Sequence, residues 1–227
     1  SIGLGMALSA KKIDMLPYNT FVLLGDSEMA EGSQWEAIQL ASHYGLDNLV
    51  GIIDVNRLGQ RGQTMYGTRI SAYEERISAF GWKTITVSDG HDLEQVEAAY
   101  NSALKSRGKP VMIIASTKKG KGVSLIEDKD GWHGKALDRD QFKKAVGELG
   151  DIKKDLKVKV ESPLEREAGT VDPADEVQAD YSSGDKVSTR RAYGDSLAAI
   201  MCSNPDIAVL DAEVSNSTYS DAVKKDH

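Results

Sequence analysis

Two apolar runs constrain this chain more than anything else in it. Phe21-Val22-Leu23-Leu24 stops abruptly at Gly25-Asp26-Ser27, and Leu49-Val50-Gly51-Ile52-Ile53 stops at Asp54-Val55-Asn56. Between them Trp35, Ile38, Leu40 and Ala41 recur at helical spacing, which predicts a helix over 32–44 closed by Gly45. Strand, tight turn, helix, strand, polar turn is the repeat of an α/β sheet, and such turns gather at the carboxyl ends of parallel strands, where ligands bind. Asp26 and Asn56 place a hard oxygen donor on each turn, a pairing that suits Mg²⁺ or Ca²⁺ holding a phosphate. On spacing alone, Asp26 as a helix cap and Asn56 as a turn closer remain an equal alternative.

The pattern continues downstream. Positions 82–87 alternate as a strand, and the run 110–116 is apolar throughout, as in a central parallel strand. Helices are predicted at the start of the chain (4–12), over 73–80, over 93–105 with Asp92 as cap, and over 138–149. Four strands alternating with helices predict an α/β fold: a doubly wound, mostly parallel sheet with helices on both faces. Residues 57–68, rich in glycine, read as a surface loop beside the two turns. Trp35, Trp82 and the methionines read as core. His43 reads as a helix residue at the surface or the core rim, and His91 as a turn residue.

Composition shifts after residue 150. Lys, Asp, Glu and two prolines dominate 151–184, which reads as an interdomain linker between a domain at 1–150 and the start of a second α/β domain at 185–227. In that second part 189–203 is helical in period, 207–210 reads as a strand and 220–225 as another helix. Ser1 and His227 read as the cut ends of a fragment.

Net charge over the 227 residues is -7, against the basic face expected of a nucleic-acid binder. No apolar run approaches a membrane span, and the short apolar opening lacks the basic flank of a signal peptide. Cys202 is the single cysteine, so no intrachain disulfide forms; a reducing compartment, the cytoplasm, is the expected location.

The motifs then point to one family. Gly25-Asp26-Ser27 followed by Asn56 resembles the Gly-Asp-Gly…Asn-Asn signature of thiamine-diphosphate enzymes. The stretches 23–37, 46–50 and 54–60, Phe80-Gly81-Trp82, Asp89-Gly90-His91, Lys119-Gly120-Lys121-Gly122, Glu127-Asp128-Lys129 with Trp132-His133-Gly134-Lys135, Ser188 through Gly194 and Asn216-Ser217-Thr218 are similar to transketolases, closest to their animal-like branch. The resemblance covers nearly the whole chain apart from the linker.

That resemblance implies a homodimer with its active site at the interface, thiamine diphosphate and Mg²⁺ (or Ca²⁺) as cofactors, and sugar-phosphate substrates of the pentose phosphate pathway. The reaction it implies moves a two-carbon ketol group from a ketose phosphate to an aldose phosphate. Domain 1–150 then corresponds to the diphosphate-binding domain and 185–227 to the start of the pyrimidine-binding domain. Asp26, Asn56 and the Leu58 carbonyl become metal ligands, and Gly25, Ser27, Asn56, Lys119 and Glu213 cofactor contacts. Glu31 falls at a position tied to the dimer and cofactor network. His133 corresponds to the active-site histidine, which contacts the sugar and moves protons. Arg190 and Ser217 correspond to a sugar-phosphate grip; a planar guanidinium suits phosphate oxygens, and Arg191 reads as a surface charge.

Ser27, where most relatives have glycine, and Val214, where a polar residue is common, depart from the pattern. The glutamate that activates the cofactor's pyrimidine and the family's N-terminal histidines have no counterpart in the sequence, so the 227-residue chain alone is expected to be inactive. A deoxyxylulose-phosphate synthase and a non-catalytic cofactor-binding homologue are the competing readings; the Arg190–Ser217 pair opposes the first.

Overall fold

The computed structural model describes residues 1–151, 155, 157–159, 179–204 and 206–226. The chain divides into two compact units, Ser1–Arg166 and Glu167–His227, and the expected linker falls mostly outside the described residues.

The first unit is built on a four-stranded sheet of β1 (Thr20–Gly25), β2 (Leu49–Val55), β5 (Lys83–Val87) and β6 (Val111–Ser116), in the order β1-β2-β6-β5 and parallel throughout. Its central strands β2 and β6 are buried almost end to end, which is why their sequences are continuous apolar runs rather than alternating ones. Helices α1 (Ile2–Lys12), α2 (Gly32–His43) and α3 (Ile70–Ala79) cover one face through Ala7, Ile38, Ala41, Tyr73 and Ile77, packed on Leu24, Ile53 and Ile114. Helix α4 (Leu93–Leu104) covers the other through Ala99 and Ala103 against Val50, Val111 and Ile113. Helix α5 (Arg139–Leu149) follows the last strand.

Local chemistry sets the element ends. Asp92 accepts from the Glu94 and Gln95 amides, and Asp138 forms a capping box with Gln141. Helix α2 stops where Gly45 adopts φ +58, and the Gly45 and Leu46 amides donate to the Ser42 and Ala41 carbonyls, the Schellman arrangement. Helix α3 begins three residues before the expected start because its N-cap, Arg69, carries no side-chain cap signal. Trp82 is core, donating its indole N–H to the Ile38 carbonyl at 2.8 Å, but Met6, Met15 and Met65 are exposed.

Residues 57–68 depart from the expected plain loop. They contain a short hairpin, β3 (Leu58–Gly59) with β4 (Gly62–Gln63), which buries Leu58 and returns Thr64 to the end of β1.

The second unit contains α6 (Thr189–Ser203), capped by Ser188, then α7 (Ser215–Thr218) and α8 (Val223–Asp226). The strand expected over 207–210 is absent. A strand is held by its ladder, and no described residues pair with that segment. Ser217 sits in the one-turn helix α7.

Candidate functional site

The parallel register sets Gly25 opposite Asp54, and Asp54 opposite Ala115, so the turns after β1, β2 and β6 leave the same edge of the sheet side by side. Residues more than 60 positions apart thereby converge. Gly25, Asp26, Ser27, Glu31, Asn56, Leu58, Lys119 and His133 all line one cleft of about 590 Å³, with Glu28 and Gln60 completing its wall.

At its floor Asp26 is 4% exposed. Its Oδ2 accepts from the Arg57 amide at 2.7 Å and from the Thr64 hydroxyl at 3.0 Å. Burial pushes its carboxyl above the ordinary 3.8; the Thr64, Arg57 and Ser27 donors oppose that rise, and the nearby Asp54 charge adds to it. Such a carboxylate gains from a cation beside it.

Asn56 is oriented by its neighbours. Its Nδ2 donates to Asp54 Oδ2 at 3.0 Å and its Oδ1 accepts from the Leu58 amide at 3.1 Å, which assigns the two ends of the amide. The other Asp54 oxygen accepts from the Thr117 hydroxyl on the turn after β6. Lys119 Nζ donates to the Leu58 carbonyl at 3.0 Å and lies 2.9 Å from His133 Nδ1. An ammonium has no acceptor lone pair, so His133 Nδ1 accepts and its ring proton sits on Nε2.

Ser27 has φ -69 and ψ -32, a backbone open to any residue, so its departure from glycine meets no conformational barrier. The Gly25 amide donates to Glu28 Oε2 at 2.6 Å. Glu31 caps α2 by position, without a side-chain cap bond.

Several residues given no role by the sequence reading hold these groups in place: Thr64 and Arg57 on Asp26, Asp54 on Asn56, and Asp128 on Arg57. His91 is more than a turn residue, since its Nε2 accepts from the Lys118 amide at 2.8 Å beside the basic turn. Asp54 stands at a strand end and Arg57, His91 and Asp128 fall within the motif stretches, whereas Thr64 carried no sequence signal.

Glu213, Arg190 and Ser217 belong to the second unit. Arg190 lies at the start of α6 with its guanidinium 5.9 Å from the Tyr219 ring centroid, and Arg191 pairs with Asp195 at 2.8 Å. Glu213 is exposed just before α7.

Residues 6–183 match the family model described as transketolase, thiamine diphosphate binding domain. Transketolase-like protein 2 of Bos taurus is 41% identical over 226 residues, and transketolase of Homo sapiens 40% over 226; each match covers 98% of this chain and 36% of the relative. The chain thus spans about a third of the length of these relatives. Among solved structures, a transketolase mutant from Pichia stipitis matches with TM-score 0.57 and 29% identity, over 65% of this chain and 23% of that one. A second Pichia stipitis transketolase structure, 22% identical, shares the fold with TM-score 0.74 over 96% of this chain and 39% of that one. The sheet, the order of its turns and the matched span agree: the chain belongs to the transketolase family and contains its thiamine diphosphate binding domain.

Proposed function

We propose that this chain supplies the diphosphate- and metal-holding part of a transketolase, which transfers a two-carbon ketol group between sugar phosphates. The observation that carries this is the convergence of Asp26, Asn56, Leu58, Lys119 and His133 on one cleft. Asp26, the Asn56 Oδ1 and the Leu58 carbonyl form an all-oxygen donor set of the kind Mg²⁺ or Ca²⁺ prefers, and the buried Asp26 carboxyl fits a cation. Thiamine diphosphate, when bound, supplies the electron sink for breaking and forming the carbon–carbon bond.

The chain's own residues do the rest. Asp26 and Asn56 would hold a metal for the diphosphate, the Gly25–Ser27 turn would line the same cleft beside it, and Lys119 would add positive charge. His133, with its Nε2–H directed by the Lys119 contact at Nδ1, donates to sugar oxygens and exchanges protons there. Arg190 and Ser217 bind the distant sugar phosphate, whose binding energy positions the reacting carbonyl. The active protein is a homodimer in the cytoplasm, with the site completed at the subunit interface. Residues 1–150 act as its diphosphate-binding domain, 151–184 as linker and 185–227 as part of its pyrimidine-binding domain.

Calorimetric titration of the intact protein with thiamine diphosphate, with and without Mg²⁺, tests the reading. Binding that requires Mg²⁺ and disappears in Asp26→Ala supports it; metal-independent binding overturns the assignment of Asp26 and Asn56. Ketol transfer assays on the intact protein separate an enzyme from a non-catalytic homologue.

A further inference from the structure

Arg57 bonds both to Asp26 in the cleft and to Asp128 in the segment that carries Lys119 and His133. Its amide donates to Asp26 Oδ2 at 2.7 Å, on the acidic floor. Its guanidinium reaches across to the segment that carries Lys119 and His133: Nε donates to Asp128 Oδ1 at 2.9 Å and Nη2 to the Asp128 carbonyl at 2.8 Å. The Asp128 amide in turn donates to the Lys119 carbonyl at 2.8 Å. A continuous line of bonds, Asp26–Arg57–Asp128–Lys119, therefore links two residues that line the cleft.

Both central members are backbone exceptions. Arg57 has φ +63 and Asp128 φ +55, the left-handed region that side chains other than glycine seldom adopt. Two such residues facing each other persist only where the surroundings over-determine them, and they concentrate at functional sites. Fold stability is a weak reason for the arrangement. The Arg57 and Asp128 side chains are 28% and 43% exposed, and an ion pair that open contributes little on its own. The segment also ties itself together without Arg57, through Glu127 to the Gly122 amide and Lys129 to the Ser124 and Leu125 carbonyls.

We infer that Arg57 and Asp128 are positioning residues that fix the Lys119–His133 segment at the correct distance from the Asp26–Asn56 turns, so that cation, diphosphate and sugar contacts form together. The planar fork sets that distance through two bonds, one to the Asp128 carboxylate and one to its carbonyl, which a lysine cannot reproduce. The affinity part of this inference rests on the proposed function; the structural coupling does not.

The test uses Arg57→Ala, Arg57→Lys, Asp128→Ala and the Arg57→Ala/Asp128→Ala double variant of the intact protein. Amide hydrogen exchange over 118–134 should accelerate at least fivefold in each, with β2 unchanged. Affinity for thiamine diphosphate with Mg²⁺ should fall about tenfold in each single variant and no further in the double, with Arg57→Lys failing to rescue. Unchanged exchange over 118–134, or equal acceleration in β2, overturns the coupling. Accelerated exchange with unchanged affinity reduces the pair to a structural tie and overturns the positioning role. If the parent protein does not bind thiamine diphosphate, the proposed function falls while the exchange measurement still judges the strut.

Discussion

The Lys119 ammonium donates to the Leu58 carbonyl at 3.0 Å, so a lysine sits on one of the oxygens proposed to hold the metal. A metal held there would compete with the ammonium for that carbonyl and be repelled by it. Lys119→Met should therefore bind Mg²⁺ alone about tenfold more tightly (~1.4 kcal/mol), a modest part of what two charges this close exchange near a protein surface. The same variant should bind thiamine diphosphate with Mg²⁺ more weakly. Titration of parent and variant with metal alone decides it: weaker metal binding in the variant sinks the idea.

Ser27 requires no left-handed backbone, with φ -69, and its side chain is exposed. Ser27→Gly should leave the affinity for thiamine diphosphate within about twofold, while added chain entropy costs roughly 0.5–1 kcal/mol of stability. Thermal unfolding and calorimetry together check this. A large gain in cofactor affinity would show instead that the serine obstructs the diphosphate.

Asp47 ties α1 and the β6 approach to the end of α2. Lys11 Nζ donates to it at 2.5 Å and the Gly108 amide at 2.8 Å. Burial pushes the Asp47 carboxyl up, but the Lys11 and Gly108 bonds with the Lys11 and Arg107 charges outweigh it, and the net shift is below the ordinary 3.8. A depressed carboxyl contributes stability above its unfolded value and loses it as pH falls through the folded one. Asp47→Asn should cost about 1–2 kcal/mol at pH 7. That difference should be retained down to about pH 5 and shrink as the pH drops below 3.8. Denaturant unfolding across pH 2.5–7 (roughly the span of carboxylate titration) measures it; a pH-independent difference counts against the ion pair as its source.

Gly194 in α6 lies against the Tyr219 backbone: a Cβ there would meet Tyr219 Cβ at 2.5 Å and its carbonyl oxygen at 2.6 Å. Tyr219 is itself left-handed, with φ +62, and cannot retreat freely. Gly194→Ala should destabilise the second unit by about 1–3 kcal/mol. Hydrogen exchange should quicken over α6 and α7 and stay constant in β2. Protection unchanged in α6 would mean that the helix shifts without cost.

Much of the first unit was legible because its signals are local. Continuous apolar runs mark the buried strands β2 and β6, and Asp92, Asp138 and Gly45 announce helix ends through bonds to their own neighbours. The candidate site was legible to the extent that its groups sit at strand ends: Asp26, Asn56 and Lys119 each follow an apolar run. The expected strand over 207–210 failed because its apolar pattern needs a ladder partner, which a run of residues cannot supply for itself.

By itself, then, the sequence determined which segments are buried, where they end and which oxygen and nitrogen groups stand at those ends, since each depends on side chains a few positions apart. Tertiary structure alone decided that β6 inserts between β2 and β5, that Leu58 is buried by a hairpin, and that Arg57 and Asp128 take left-handed backbones to face each other. Those features depend on contacts between residues such as Arg57 and Asp128, 71 positions apart, whose geometry exists only once the strands pair.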